Sequence, residues 1–186
     1  IKNHAGKNSM LVLRPADVYE TTEAWKMAME NTDTPTALIL SRQNVNDLPG
    51  DRVAESKKAA KGAYIVKACE GTPDIVMVAN GSEVSTLLDG AKLLEERKNL
   101  KIQIVSAISE GLIRTQSKEY QEEVIPSSAK KYALTAGIPC SMQGLVGVDG
   151  YVHGLDHFGY SAPFKVLDEK FGFNAESVYS DVCEFL

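Results

Sequence analysis

Arg42 stands two residues beyond the apolar run Leu38-Ile39-Leu40, within Ser41-Arg42-Gln43-Asn44. A guanidinium carries five N–H donors in a planar fork that matches the oxygens of phosphate or carboxylate in pairs. In open parallel sheets, ligands bind outside the carboxyl ends of the strands. A strand ending just before Arg42 would offer that fork to an anionic ligand. The residue types also allow a plainer role, a surface ion pair with a carboxylate of the following segment. Arg14 follows a second apolar run, Met10 to Leu13, but Pro15 and the cap-like Asp17 beside it favour a structural salt bridge there.

Other constellations support chemistry less well. Asn80-Gly81-Ser82-Glu83 lies between a strand and a helix, where free backbone N–H groups can hold an anion. It is neither GxGxxG nor Walker A. Glu83 suits the helix dipole and would repel a phosphate, so ordinary capping is expected. His153 and His157 are four residues apart, yet Gly154 intervenes in what reads as strand running into loop. With no carboxylate or thiolate at a ligand spacing, each His is expected to face solvent or pack in a loop, and no metal site is expected. His4 falls in a terminus expected to fray. Ser161 sits in Gly159-Tyr160-Ser161-Ala162-Pro163, where GxSxG would need glycine in place of Pro163. No nucleophile has a base beside it. Cys69, Cys140 and Cys183 are odd in number, widely spaced and without a CxxC pair. They read as small packing residues in a reducing cytoplasm, not as a disulfide framework.

The whole composition narrows the partners. Lys and Arg number 20 against 25 Asp and Glu, a net charge of -5, and the basic residues are scattered. That distribution argues against a nucleic-acid partner. No apolar run approaches the roughly 20 residues that span a bilayer, so no membrane partner is expected. No basic start followed by an apolar stretch marks a signal peptide. The first residue is Ile1, which reads as the beginning of a piece of a longer protein. Hydrophobic residues at 44% exclude a disordered chain.

The elements that must position these residues are legible in the periodicity. Met10 to Leu13 reads as a strand stopped before Pro15. Asp17 followed by Glu20 resembles a capping box, and Val18, Thr22, Trp25 and Met29 then recur at helical spacing. Thr36 to Leu40 is a continuous apolar run of the kind expected for a parallel strand covered on both faces. Strand, helix and strand make a βαβ unit. Residues 43–61 are polar and turn-rich and read as an interdomain linker with one short helical turn. Ala63 to Ala68 and Asp74 to Ala79 are strands joined by a loop short enough for an antiparallel hairpin. An amphipathic helix follows, with Val84, Leu87, Leu88, Ala91 and Leu94 on one stripe. Further strands are expected at Lys101 to Ser106, Lys131 to Ala136 and Tyr151 to Leu155. A helix is expected at Ser117 to Val124, another is allowed before Tyr151, and two close the chain, the last capped by Asn174. The expected fold is α/β: a mostly parallel mixed sheet with one antiparallel strand and helices on both faces, preceded by the βαβ remnant of a second α/β domain.

Several of these segments resemble transketolases. Leu13-Arg14-Pro15-Ala16-Asp17 and Thr36-Ala37-Leu38-Ile39-Leu40-Ser41-Arg42-Gln43-Asn44 look like the end of the family's pyrimidine-binding domain. Gly62-Ala63-Tyr64-Ile65-Val66, Gly81-Ser82-Glu83-Val84, Val146-Gly147-Val148-Asp149-Gly150 and Phe158-Gly159-Tyr160-Ser161-Ala162-Pro163 look like its C-terminal domain, and the likeness runs along nearly the whole chain. The resemblance implies residues 1–42 as the last, incomplete part of the pyrimidine-binding domain, 43–61 as linker and 62–186 as the C-terminal domain. It implies transfer of a two-carbon ketol group from a ketose phosphate to an aldose phosphate, with thiamine diphosphate and Mg2+ or another divalent cation, in a cytoplasmic homodimer. It places the grip on the sugar phosphate at Arg42. The family's cofactor, metal and catalytic residues lie upstream of a segment like this one, so none is assigned here and the piece alone is expected to be inactive. Thr135, Ala107-Ile108 and Ile138 to Met142 depart from the common pattern. Dihydroxyacetone synthase and deoxyxylulose-phosphate synthase are related readings, although Ser41-Arg42-Gln43-Asn44 favours transketolase over the latter. A non-catalytic dimerisation or regulatory module is the alternative of a different kind.

Overall fold

The computed structural model describes residues 9–186. Two sheets form. Strand β1 (Leu11–Leu13), helix α1 (Val18–Glu30) and strand β2 (Thr36–Leu38) make a βαβ unit in which β1 and β2 pair in parallel. Asp17 caps α1, its side chain accepting from the Glu20 N–H at 2.7 Å, while the Glu20 carboxylate turns back to accept from the Ala16 N–H at 2.8 Å. One orphan donor of the first turn and the N–H just before the cap are satisfied in the reciprocal manner of a capping box, displaced by one residue.

The stripe expected along α1 is present but points the other way. Trp25 and Met29 are 53% and 78% exposed, and Val18 is exposed too, whereas Glu20, Glu23 and Ala24 are buried. Periodicity reports a helix face but not its partner, and here polar contacts of Glu20 turn the opposite face inward. The expectation that β2 is covered on both faces also fails: the strand ends at Leu38, and Ile39 and Leu40 are about half exposed.

Residues 43–61 are ordered against the rest. Leu48 is buried, helix α2 (Arg52–Glu55) runs into a 3-10 helix (Ser56–Lys61), and Arg52, Ser56 and Ala59 are buried. Gly62 ends this stretch at φ +92°, where a Cβ would lie 2.3 Å from the Ile113 nitrogen. Only glycine fits that turn.

The larger sheet contains β3 (Tyr64–Lys67), β4 (Ile75–Ala79), β5 (Ile102–Ser106), β6 (Lys130–Leu134) and β7 (Tyr151–His153), in the order β3-β5-β4-β6-β7. All neighbours are parallel except β3 and β5. The expected hairpin is therefore corrected: β3 is the antiparallel strand, but it pairs with β5, which lies between it and β4. A short loop permits a hairpin without requiring one, and the apolar β5 is the better partner for a strand that must sit at the sheet edge.

Side chains alternate along β4. Ile75, Met77 and Ala79 face α3 (Glu83–Lys98) and α8 (Ala175–Phe185) through Val84, Leu87, Leu94, Val178 and Val182. Val76 and Val78 face the other layer: α4 (Glu110–Ile113), α5 (Lys118–Val124) and α6 (Cys140–Val146), through Ile113, Val124 and Met142. Burial on both faces is why β4 reads as an unbroken apolar run. Helix α7 (Phe164–Phe171) ends in Gly172, and the Asn174 side chain caps α8 by accepting from the Ser177 N–H at 2.9 Å.

Candidate functional site

Arg42 stands beyond the carboxyl end of β2, as the strand-end argument expects, and its side chain is exposed. It lines a cavity of about 290 Å3 with Ser41, Gln43, Arg14, Glu83 and Asp168. Three segments meet there: the end of β2, the end of β1, and the five-stranded unit through the start of α3 and through α7. Burial, then the nearby Glu83 charge, pushes the Asp168 carboxyl above its ordinary range.

Arg14 does make a structural ion pair, but not with Asp17. Its Nη1 pairs with Glu83 and donates to Asn80 Oδ1 at 2.5 Å. Asn80-Gly81-Ser82-Glu83 is thus no anion cradle. The Gly81 N–H donates to the Arg14 carbonyl at 3.0 Å, and the guanidinium lies over Gly81. Ser82 makes no side-chain cap; its hydroxyl donates to Glu83 Oε1 at 2.8 Å.

Asp17 pairs instead with Arg52, whose Nε lies 2.7 Å from Oδ2. Arg52 Nη2 also donates to the Tyr64 hydroxyl at 2.9 Å, and that hydroxyl donates to Glu20 Oε1 at 2.7 Å. This chain of four buried groups joins α1, α2 and β3. Burial disfavours the Arg52 cation, but Asp17 and Tyr64 outweigh it and hold the guanidinium above its usual value. Burial raises Glu20, and burial together with the Glu20 charge raises the Tyr64 phenol. No sequence spacing signals this network, because tertiary contacts bring its members together from up to 44 residues apart. Only the Asp17–Glu20 cap was visible locally.

His153 and His157 are held by different partners, the His157 Nδ1 lying 2.8 Å from the Phe158 carbonyl. Among the described residues no group of three His, Cys, Asp or Glu is placed to hold a metal ion. His153 bonds Asp181 and the Phe171 carbonyl, and His157 is exposed. His4 lies outside the described residues. Ser161 is exposed. Cys183 packs against the core as expected, whereas Cys140 is exposed at the start of α6. No helix of the described residues is long and apolar enough to cross a membrane.

Residues 62–174 match the family model of the transketolase-like C-terminal domain. The chain is 42% identical over 177 residues to a transketolase of Staphylococcus aureus (strain MW2), covering 94% of this chain and 26% of that protein. It superposes on the transketolase from Leishmania mexicana with a TM-score of 0.86 and 32% identity, covering 97% of this chain and 26% of the other. A Pichia stipitis transketolase in complex with sedoheptulose 7-phosphate gives a TM-score of 0.84 at 32% identity, with 97% and 25% covered. The chain thus spans about a quarter of the length of these relatives.

Proposed function

Since this chain belongs to the transketolase family, we propose that the whole protein moves a two-carbon ketol group from a ketose phosphate to an aldose phosphate, and that Arg42 grips the substrate phosphate. In the same reading, residues 1–42 close a pyrimidine-binding domain, 43–61 link, and 62–186 form the C-terminal domain. The whole protein works as a cytoplasmic homodimer. The observation that carries the reading is the place of Arg42: just past a parallel strand, exposed, on a cavity shared with the five-stranded unit. A sugar phosphate in the complex of the Pichia stipitis relative supports the substrate class.

Thiamine diphosphate, held with a divalent cation, supplies the carbanion chemistry when bound. The described residues offer no acidic or imidazole cluster for that cation. No step is therefore assigned to this chain's residues beyond binding the phosphate. Cofactor and metal sit on other parts of the whole protein, and this chain alone is inactive.

Arg42→Ala in the whole protein tests the reading. A charge-assisted hydrogen bond contributes about 1.5–3 kcal/mol, so kcat/KM for phosphorylated sugars should fall by roughly 10- to 150-fold. A contact remote from the reacting carbons acts on ground and transition states alike, so the loss should lie in KM. Unphosphorylated sugars should be nearly unaffected; equal losses for both classes would make Arg42 structural.

A further inference from the structure

We propose that Arg14 is a positioning residue for the phosphate site at Arg42, cancelling the Glu83 charge beside it, so that the C-terminal domain sets the affinity for the phosphorylated end of the substrate. The inference rests on the phosphate role of Arg42.

Arg14 and Arg42 follow the carboxyl ends of adjacent parallel strands. The strands stay tied beyond their formal ends, where the Ile39 N–H donates to the Leu13 carbonyl at 2.9 Å. The C-terminal domain holds Arg14 through backbone and side chain. The Arg14 N–H donates to the Ile108 carbonyl at 2.9 Å, the Gly81 N–H donates to the Arg14 carbonyl, and Nη1 binds Asn80 and Glu83. Glu83 is only 5% exposed and is fixed in turn by the Ser82 hydroxyl and, at 3.2 Å, by the Ala136 N–H. Arg14, Glu83 and Arg42 all line the same cavity.

This geometry assigns different work to the two arginines. Arg42 is exposed and open to an anion. Arg14 is committed to Glu83 and Asn80, so its part is to neutralise. Without it, an uncompensated carboxylate would line the same cavity as the phosphate, and charges interact more strongly as water is excluded. Asp168 lines the same cavity, and burial, then the nearby Glu83 charge, holds its carboxyl above the ordinary range.

The test uses the whole protein and steady-state kinetics with a phosphorylated and an unphosphorylated ketose. Arg14→Met should raise KM for the phosphorylated sugar by roughly 5- to 30-fold, a span typical of coupling between neighbouring residues. It should leave kcat and the unphosphorylated sugar unchanged. Adding Glu83→Gln to Arg14→Met should restore most of the lost affinity, because the uncompensated charge is gone. Arg14→Lys, which keeps the charge, should stay near wild type. Arg14→Gln, which drops the charge but keeps a donor for Asn80, covers the case in which Arg14→Met folds poorly and should show the same phosphate-selective rise in KM. A purely structural role would raise KM or lower kcat for both sugars alike. A loss shared by the unphosphorylated sugar, or a phosphate-selective loss that Glu83→Gln leaves in place, would overturn the inference. If Arg42→Ala shows the phosphate-selective loss and Arg14→Met does not, this inference alone falls. If Arg42→Ala shows no selectivity, the phosphate reading falls and takes this inference with it.

Discussion

His153 and Asp181 meet at 2.7 Å between Nδ1 and Oδ2, while the other ring nitrogen of His153 lies 2.7 Å from the Phe171 carbonyl. The carboxylate and the carbonyl both present acceptors, so these contacts favour the imidazolium form, in which both ring nitrogens donate. The Tyr132 hydroxyl donates to the same Asp181 oxygen at 2.9 Å. Four elements are tied here: β6, β7, the end of α7, and α8.

The first prediction is a pH dependence. The Asp181 hydrogen bond raises the His153 pKa, burial opposes it, and the Phe171 carbonyl assists. A raised folded pKa means that the stabilisation is fully present below the unfolded value, about 6.5, and is lost as pH rises through the folded value. Thermal unfolding between pH 5 and 9 should show Tm falling above about pH 6.5. His153→Gln and Asp181→Asn should each flatten that slope. An unchanged slope in both variants would refute the tie.

The second concerns the buried network. Arg52→Ala leaves Asp17 without its cation in a site where both side chains are 5% exposed or less. Breaking a buried pair costs about 3–5 kcal/mol, which urea unfolding should detect. Tyr64→Phe removes one hydroxyl that serves two partners and should cost about 1–3 kcal/mol. A combined loss smaller than the sum would show that the groups act together.

The third concerns the domain division. Asn44, Asn46 and Asp47 are exposed, whereas Leu48, Arg52, Ser56 and Ala59 are buried. Limited proteolysis read by mass spectrometry should therefore cut first at residues 43–47 and leave a product running to Leu186. Early cleavage at 52–61 would show that this stretch is a loose tether. Early cleavage within Glu83–Lys98 would contradict the division altogether.

The fourth concerns the cofactor. Calorimetric titration of residues 1–186 with thiamine diphosphate and Mg2+ should give no stoichiometric heat. A submillimolar isotherm would overturn the placement of the cofactor on other parts of the whole protein.

Much of the molecule could be read from residues close together in the chain. Caps at Asp17 and Asn174, the stripe of α3 and strand β4 follow from periods and hydrogen bonds that reach no more than a few residues. Such signals act within one element and fix its type and its ends, while the face it buries depends on what packs against it, as α1 shows. The position of Arg42 past a strand end is of the same kind.

What the tertiary structure decided is which elements meet. Nothing local to β3 says that β5, not β4, is its neighbour. Nothing local to α1 says that Glu20, not Trp25, turns inward. Arg14 found Glu83, Asp17 found Arg52, and His153 found Asp181 across separations that sequence spacing does not encode. Charges pair with whatever counter-charge packing delivers to a site poor in water, because burial makes an unpaired charge costly. Composition lists the possible partners, and the fold selects among them.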